Sequence, residues 1–249
     1  MSELSGRDAV PEPILKGLDA WWTVLAIDPI ATRMARRLLP FSAITPSGLT
    51  VAAHLLGLVS AVAFATGHLL WGAVLFELRF VLDCADGKLA RLRGVSSATG
   101  AYLDYVGDYL VVAANMAGLG LHLQWVNELS PVIVVALPAA FLAHVTAGQA
   151  RDGEVLAAGF GYRPAIERLP GGYRSWMARR RLRSSPSRIE AEHLLLFAAP
   201  LAAWALDADR FLAGVAAAVT LYFCYRTARI AIGGYRIAAE RDRLRSTPT

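Results

Sequence analysis

Six apolar stretches divide the chain, running roughly Gly48–Thr66, Leu69–Leu82, Ala101–Leu123, Pro131–Thr146, His193–Leu206 and Phe211–Ile232. A bilayer's hydrocarbon core takes about 20 residues of mostly apolar helix. Backbone groups in lipid must pair within their own segment, and helices do this. The first, third and sixth stretches are long enough as they stand. The second, fourth and fifth reach that length only if their polar flanks belong to the same helices. Loop charge supports the count. The connections near Gly67–His68, Gln124–Ser130 and Asp207–Asp209 hold no Lys or Arg. The alternate connections are basic: Lys88, Arg91 and Arg93 in one, and Arg151, Arg163, Arg168, Arg174, Arg179, Arg180, Arg181, Arg183 and Arg188 in the other. The tail adds Arg236, Arg241, Arg243 and Arg245. That alternation is the positive-inside pattern of six spans with both termini in the cytoplasm. The expected fold is all-α, a polytopic bundle of six transmembrane helices in the cell membrane.

Only 18% of residues are charged, against about 25% in soluble domains. The net charge of +5 is carried by Arg, since Lys16 and Lys88 are the only lysines. A basic balance serves nucleic acid or an anionic membrane face. The arginines cluster between apolar blocks, so the reading is a membrane surface with no nucleic-acid partner. Cys84 and Cys224 lie in apolar segments and read as reduced, buried thiols. The polar start, Met1 to Pro13, lacks the charged-then-apolar pattern of a cleaved signal.

Ahead of the first span, Ile14–Leu39 mixes apolar residues with Trp21, Trp22, Arg33, Arg36 and Arg37. It reads as two short interfacial amphipathic helices broken at Asp28–Pro29, with Trp at headgroup depth. The connection Arg151–Glu190 reads as a cytoplasmic loop with some short helix, and its Arg179–Arg181 run as a solvated or lipid-facing charge cluster. No internal repeat is present. The organisation expected is a cytoplasmic N-terminal segment (1–40), one six-span domain (41–235, with the loop 151–190) and a cytoplasmic tail (236–249).

Chemistry concentrates between the second and third stretches. Asp83 and Asp86 are three residues apart, and Asp104 and Asp108 are four apart. On helices each pair shares a face, so two helix ends present four carboxylates at the cytoplasmic side. A lone Asp at bilayer depth costs about 2.5–3.5 kcal/mol, and four together also repel. A bound divalent cation removes both penalties. Oxygen ligands with no nearby His or Cys cluster favour Mg2+, Mn2+ or Ca2+ over zinc, and two ions are feasible when substrate phosphates contribute. Gly87 beside Asp86 permits close approach of a ligand or backbone, and Gly100 lies one turn before Asp104. Ala90 keeps that surface low, and Arg91 suits bidentate pairing with a phosphate.

The run D-x2-D-G-x2-A-R-x8-G-x3-D-x3-D, from Asp83 to Asp108, resembles the signature of the CDP-alcohol phosphatidyltransferase family at every fixed position. The stretch Thr45-Pro46-Ser47-Gly48-Leu49-Thr50 is similar to the family's T-P-N-x-x-T, with Ser47 in place of Asn. The resemblance covers roughly Asp28 to Ile232. It implies a six-helix membrane bundle, a homodimer, that moves a phosphoalcohol group from a CDP-linked donor to a hydroxyl acceptor and releases CMP. It also implies that Asp83, Asp86, Asp104 and Asp108 bind one or two Mg2+ or Mn2+ ions. By the same resemblance Gly87, Ala90, Arg91, Thr50 and Gly100 serve the CDP site, and Asp108 is the general base.

Other residues leave alternatives open. Arg79 shares a face with Asp83 and Asp86, and either pairs with a carboxylate or reaches a substrate phosphate. Glu77 faces elsewhere, toward a helix neighbour. His54, in the first span, reads as a packed polar residue rather than a ligand, and His144 and Gln149 lie within reach of the cleft. Arg226 and Arg229, at one three-residue spacing, either bind an acceptor phosphate or extend to anionic headgroups. The acidic residues of Ser187–His193 cap the fifth span or line the acceptor side. The leading function is phosphatidyl transfer from CDP-diacylglycerol to a polar alcohol such as inositol phosphate or glycerol phosphate. One alternative reverses the polarity, with a soluble CDP-headgroup donor and a lipid or small-molecule acceptor. A small cation transporter is the remote third, since its ionisable groups belong near mid-bilayer in two related halves.

Overall fold

The protein is described from a computed structural model that covers residues 14–95, 97–157, 170–183 and 187–246. Met1–Pro13, and part of the basic connection with Arg163 and Arg168, lie outside the described residues. The described chain forms eight helices: α1 (Asp28–Leu38), α2 (Pro46–Ala65), α3 (Leu69–Leu92), α4 (Ala98–Asn127), α5 (Val132–Ala157), α6 (Gly171–Arg179), α7 (Arg188–Leu206) and α8 (Asp209–Ser246). Each of the six apolar stretches falls within one helix, in order α2, α3, α4, α5, α7 and α8. The polar flanks do join the short stretches, as their lengths require. Five of these helices are long and apolar enough to cross a membrane, and the protein is a polytopic all-α membrane protein. The sixth, α3, has 24 residues, about 36 Å of helix, but too many charges to qualify on composition. Its charges turn inward: Arg79, Asp86 and Lys88 are buried.

Helix α2 joins α3 and α4, packing closely on each. Helix α5 packs on α4 and α8, and α7 packs on α3 and α8. Small residues allow the closest approaches. A Cβ at Gly118 of α4 would stand 2.3 Å from the Ala61 carbonyl oxygen of α2, so only glycine lets these backbones meet. A polar knot joins the same helices. Ser60 Oγ lies 2.8 Å from the Gly72 carbonyl and 2.6 Å from Asn115 Oδ1, and the Asn115 amide donates to the Gly57 and Val111 carbonyls. Such buried hydrogen bonds fix helix register where packing in lipid is otherwise weakly directional.

The segment before the first span departs from the expectation. There is no break at Asp28–Pro29. Helical residues 21–22, a π-helical turn Thr23–Ile27 and α1 run on continuously. Proline lacks an N–H and crowds the carbonyl four residues back. Here the wider π turn absorbs it, with the Asp28 N–H bonding the Thr23 carbonyl. Helix α1 lies along α3, and Asp28 is buried in an ion pair with Lys88 Nζ (2.7 Å) and Arg181 (3.1 Å). Arg181 is therefore not simply part of a solvated cluster. It also donates to the Lys16 carbonyl, and Asp19 pairs through its backbone with Arg181 and Arg183. These contacts draw residues 14–20 across the charged end of α3, beside Asp104 of α4. Within the basic connection, α6 is the short helix expected there.

Candidate active site

Caps set the helix ends that build the site. Thr45 Oγ1 accepts from the Gly48 N–H and opens α2, with Pro46 in its first turn. Ser97 Oγ accepts likewise from Gly100 and opens α4. Both are standard N-cap arrangements. Arg93, just past α3, donates to the carbonyls of Leu38, Phe41 and Ile44. This ties the α1–α2 and α3–α4 connections together. The first turns of α2 and α4 thus come beside the charged half of α3.

Thr50 Oγ1 then reaches Asp86 Oδ2 at 2.5 Å. A cleft of about 360 Å³ opens here, lined by Thr50, Asp86, Gly87, Ala90, Arg91, Gly100 and Asp104. All five residues expected for the CDP site therefore share one cavity. A Cβ at Gly100 would crowd Ser47 Oγ at 3.3 Å, whereas one at Gly87 would make only ordinary contact with the Arg91 guanidinium at 3.6 Å. A smaller cavity of about 160 Å³ adjoins it, bordered by Asp83, Asp86, Asp104, Lys16 and Arg91. Arg91 Nε also donates to the Ile14 carbonyl at 2.9 Å.

Asp83, Asp86 and Asp104 surround this inner space. Asp83 Oδ1 is buried and has no hydrogen-bond partner among the described residues. One donor atom each from His54, Asp83 and Asp104 lie within 4.8 Å of one another. Ligand distances of about 2.0–2.6 Å for Mg2+ to Ca2+ place opposite ligands about 4–5 Å apart, so the set fits a divalent cation. His54 was not expected among these groups. A lone histidine in an apolar helix carries no local sign of its partners, and only the packing of α2 on α4 brings it here.

Asp108 is adjacent but differently engaged. It is ion-paired with Arg79, which is 1% exposed, and its Oδ2 lies 3.6 Å from Arg188. Of the two roles open to Arg79, the geometry shows the carboxylate partner. Arg188 also pairs with Glu192 at 2.9 Å and lies over the Tyr109 ring. Sequence reasoning counted Arg188 only as loop charge. Ser187 and Glu190 form a capping box at the start of α7, so Glu190 caps while Glu192 serves the ion pair. Glu77 bonds Trp22 Nε1 at 2.9 Å and stands 3.5 Å from His193, the helix neighbour expected of it.

Arg226 and Arg229 do not share surroundings, despite their spacing. Arg226 is half-buried, and with Arg188 and Arg151 it forms the charged environment of the buried His144. Arg229 is exposed and packs on Tyr225. The three-residue step rotates Arg229 off the inner face of α8.

Residues 43–222 match the model of the CDP-alcohol phosphatidyltransferase family. The phosphatidylinositol phosphate synthase of Mycobacteroides abscessus is 34% identical over 93 residues, 37% of this chain and 40% of that protein. The bifunctional IPC transferase and DIPP synthase of Aquifex aeolicus is 37% identical over 94 residues, 37% of this chain and 22% of that protein. The matched stretches thus span less than half the length of these relatives. A crystal structure of Mycobacterium tuberculosis phosphatidylinositol phosphate synthase with CDP-DAG bound shares the fold, with a TM-score of 0.51 and 22% identity over 81% of this chain and 94% of that one.

Proposed function

The chain belongs to the CDP-alcohol phosphatidyltransferase family, and from that premise we propose that it transfers a phosphatidyl group from CDP-diacylglycerol to a phosphorylated polyol, releasing CMP. The observation that carries this reading is the pair of adjoining cavities, which share Asp86, Gly87, Arg91 and Asp104. One is ringed by carboxylates. The other is bordered by Arg91 and by the first turns of α2 and α4, whose N-terminal N–H groups favour anions. A pyrophosphate bridging a cation and an arginine matches that polarity.

In this reading Asp83, Asp86, Asp104 and Asp108 hold Mg2+ or Mn2+, one ion or two. When bound, the cation neutralises charge on the pyrophosphate and makes CMP a better leaving group. Thr50 fixes the orientation of Asp86, Arg91 pairs with the donor phosphate, and Gly87, Ala90 and Gly100 leave room for the nucleotide. Asp108 receives the proton of the acceptor hydroxyl as its oxygen bonds the lipid-bearing phosphorus. The bond from that phosphorus to CMP then breaks, and CMP departs with the electron pair. Arg79 holds Oδ1 of Asp108, and Oδ2, 3.6 Å from Arg188, takes the proton.

Arg226, with Arg151 and Arg188, supplies positive charge for an acceptor phosphate, consistent with inositol phosphate or glycerol phosphate. The 34%-identical relative named a phosphatidylinositol phosphate synthase supports the same class. Arg229, being exposed, suits a lipid headgroup instead. The site and both termini face the cytoplasm, where the charge alternation puts them. The exposed apolar face of α2, with Leu55, Val59 and Val62, suits lipid or the second copy of a homodimer.

The test is a substrate panel on detergent-solubilised protein. CDP-diacylglycerol and soluble CDP-headgroups are offered with inositol phosphate, glycerol phosphate, free inositol and lipid alcohols, following CMP and product mass. CMP is expected only with CDP-diacylglycerol and a phosphorylated polyol. Turnover confined to a soluble CDP-headgroup and a lipid alcohol overturns the donor assignment. A preference for free inositol removes the acceptor role of Arg226.

A further inference from the structure

We propose that His54 supplies a ring nitrogen to the divalent cation held by Asp83 and Asp104, so that this site takes Mn2+ in preference to Mg2+. The inference rests on the metal reading above and adds a ligand outside the Asp83–Asp108 run. His54 lies on α2 four residues after Thr50, and therefore on the face that presents the Thr50 hydroxyl to Asp86. Its ring reaches α4 because residue 107 is glycine. A Cβ there would stand 2.0 Å from His54 Cε1 and 2.4 Å from Nδ1, so any other residue would displace the ring. Gly107 falls within the aspartate run at a position the pattern leaves open, and His54 gives it a purpose.

Two unmatched atoms point the same way. Among the described residues His54 Nε2 and Asp83 Oδ1, both buried, have no hydrogen-bond partner, while donor atoms of His54, Asp83 and Asp104 lie within 4.8 Å of one another. A buried polar atom is normally paired, and a cation shared by all three groups gives the His54 and Asp83 side chains a common partner. The choice of ion follows from the donors. Carboxylate-only sites suit Mg2+, Ca2+ and Mn2+, whereas imidazole binds first-row transition metals better. One nitrogen among oxygens therefore tilts the site from Mg2+ toward Mn2+.

The direct readout is electron spin-echo envelope modulation of the Mn2+-loaded protein in detergent. Wild type is expected to show a nitrogen coupling that changes character when histidine is labelled with 15N, a measurement that needs no variant. His54→Gln and Gly107→Ala are both expected to abolish it. His54→Gln is also expected to weaken Mn2+ binding by about 10–100-fold, at least the cost of losing a supporting group at a metal, with a smaller change for Mg2+. Mn2+ bound to wild type without histidine coupling overturns the role of His54 and leaves the carboxylate site standing. Failure of wild type to bind Mn2+ at all overturns the metal reading itself.

Discussion

Asp108→Asn is expected to leave the bundle assembled while lowering CMP release by about two to four orders of magnitude, the usual contribution of a positioned general base. Asparagine keeps the shape of the side chain and an oxygen that accepts from Arg79. Arg79 also retains Asp83 and Glu192 as charged neighbours, so its buried guanidinium is not abandoned. What is lost is the basic oxygen. Oδ2 of Asp108 is 3.6 Å from Arg188, on the side where the proposed acceptor would bind. Single-turnover CMP release and thermal unfolding in detergent separate the two effects. Turnover near wild type in a folded variant removes Asp108 as the base.

Arg79→Met is expected to cost stability as well as activity. Arg79 is 1% exposed, and its aliphatic stem lies against Gly57, where a Cβ would meet Arg79 Cδ at 3.0 Å. Methionine retains much of that packing but strands Asp108. Removing one partner of a buried ion pair typically costs about 3–5 kcal/mol. Asp108 is 19% exposed and keeps Arg188 nearby, so the lower end of that range applies. The double variant Arg79→Met with Asp108→Asn removes both charges and is expected to recover part of the loss, though not the activity. A single variant that melts with wild type shows that the pair does not support the fold.

The aspartates were legible in the sequence because carboxylates are costly in an apolar chain and their three- and four-residue spacing fixes a common face. The polar ends of α3, α5 and α7 were legible for a related reason, since spans of that kind need the extra turns. Other features depend on contacts that no local pattern encodes. His54 joins the site only because Gly107, on another helix, leaves room for its ring. Arg188 stood in a run of loop arginines, and its pairing with Asp108 arises where α7 meets α4. At Pro29 the sequence rule pointed to a break, but a π turn carries the helix through. Arg226 and Arg229 show the limit of spacing alone: one step along α8 separates a half-buried cation from an exposed one.

In the proposed function these carboxylates bind a divalent cation in order to release CMP. The most direct measurement follows CMP formed by the purified protein from CDP-diacylglycerol and inositol phosphate, first with EDTA and then with Mn2+ restored. CMP formation is expected to fall to background in EDTA and to return with Mn2+. CMP release that persists in EDTA, or that no divalent cation restores, contradicts the account.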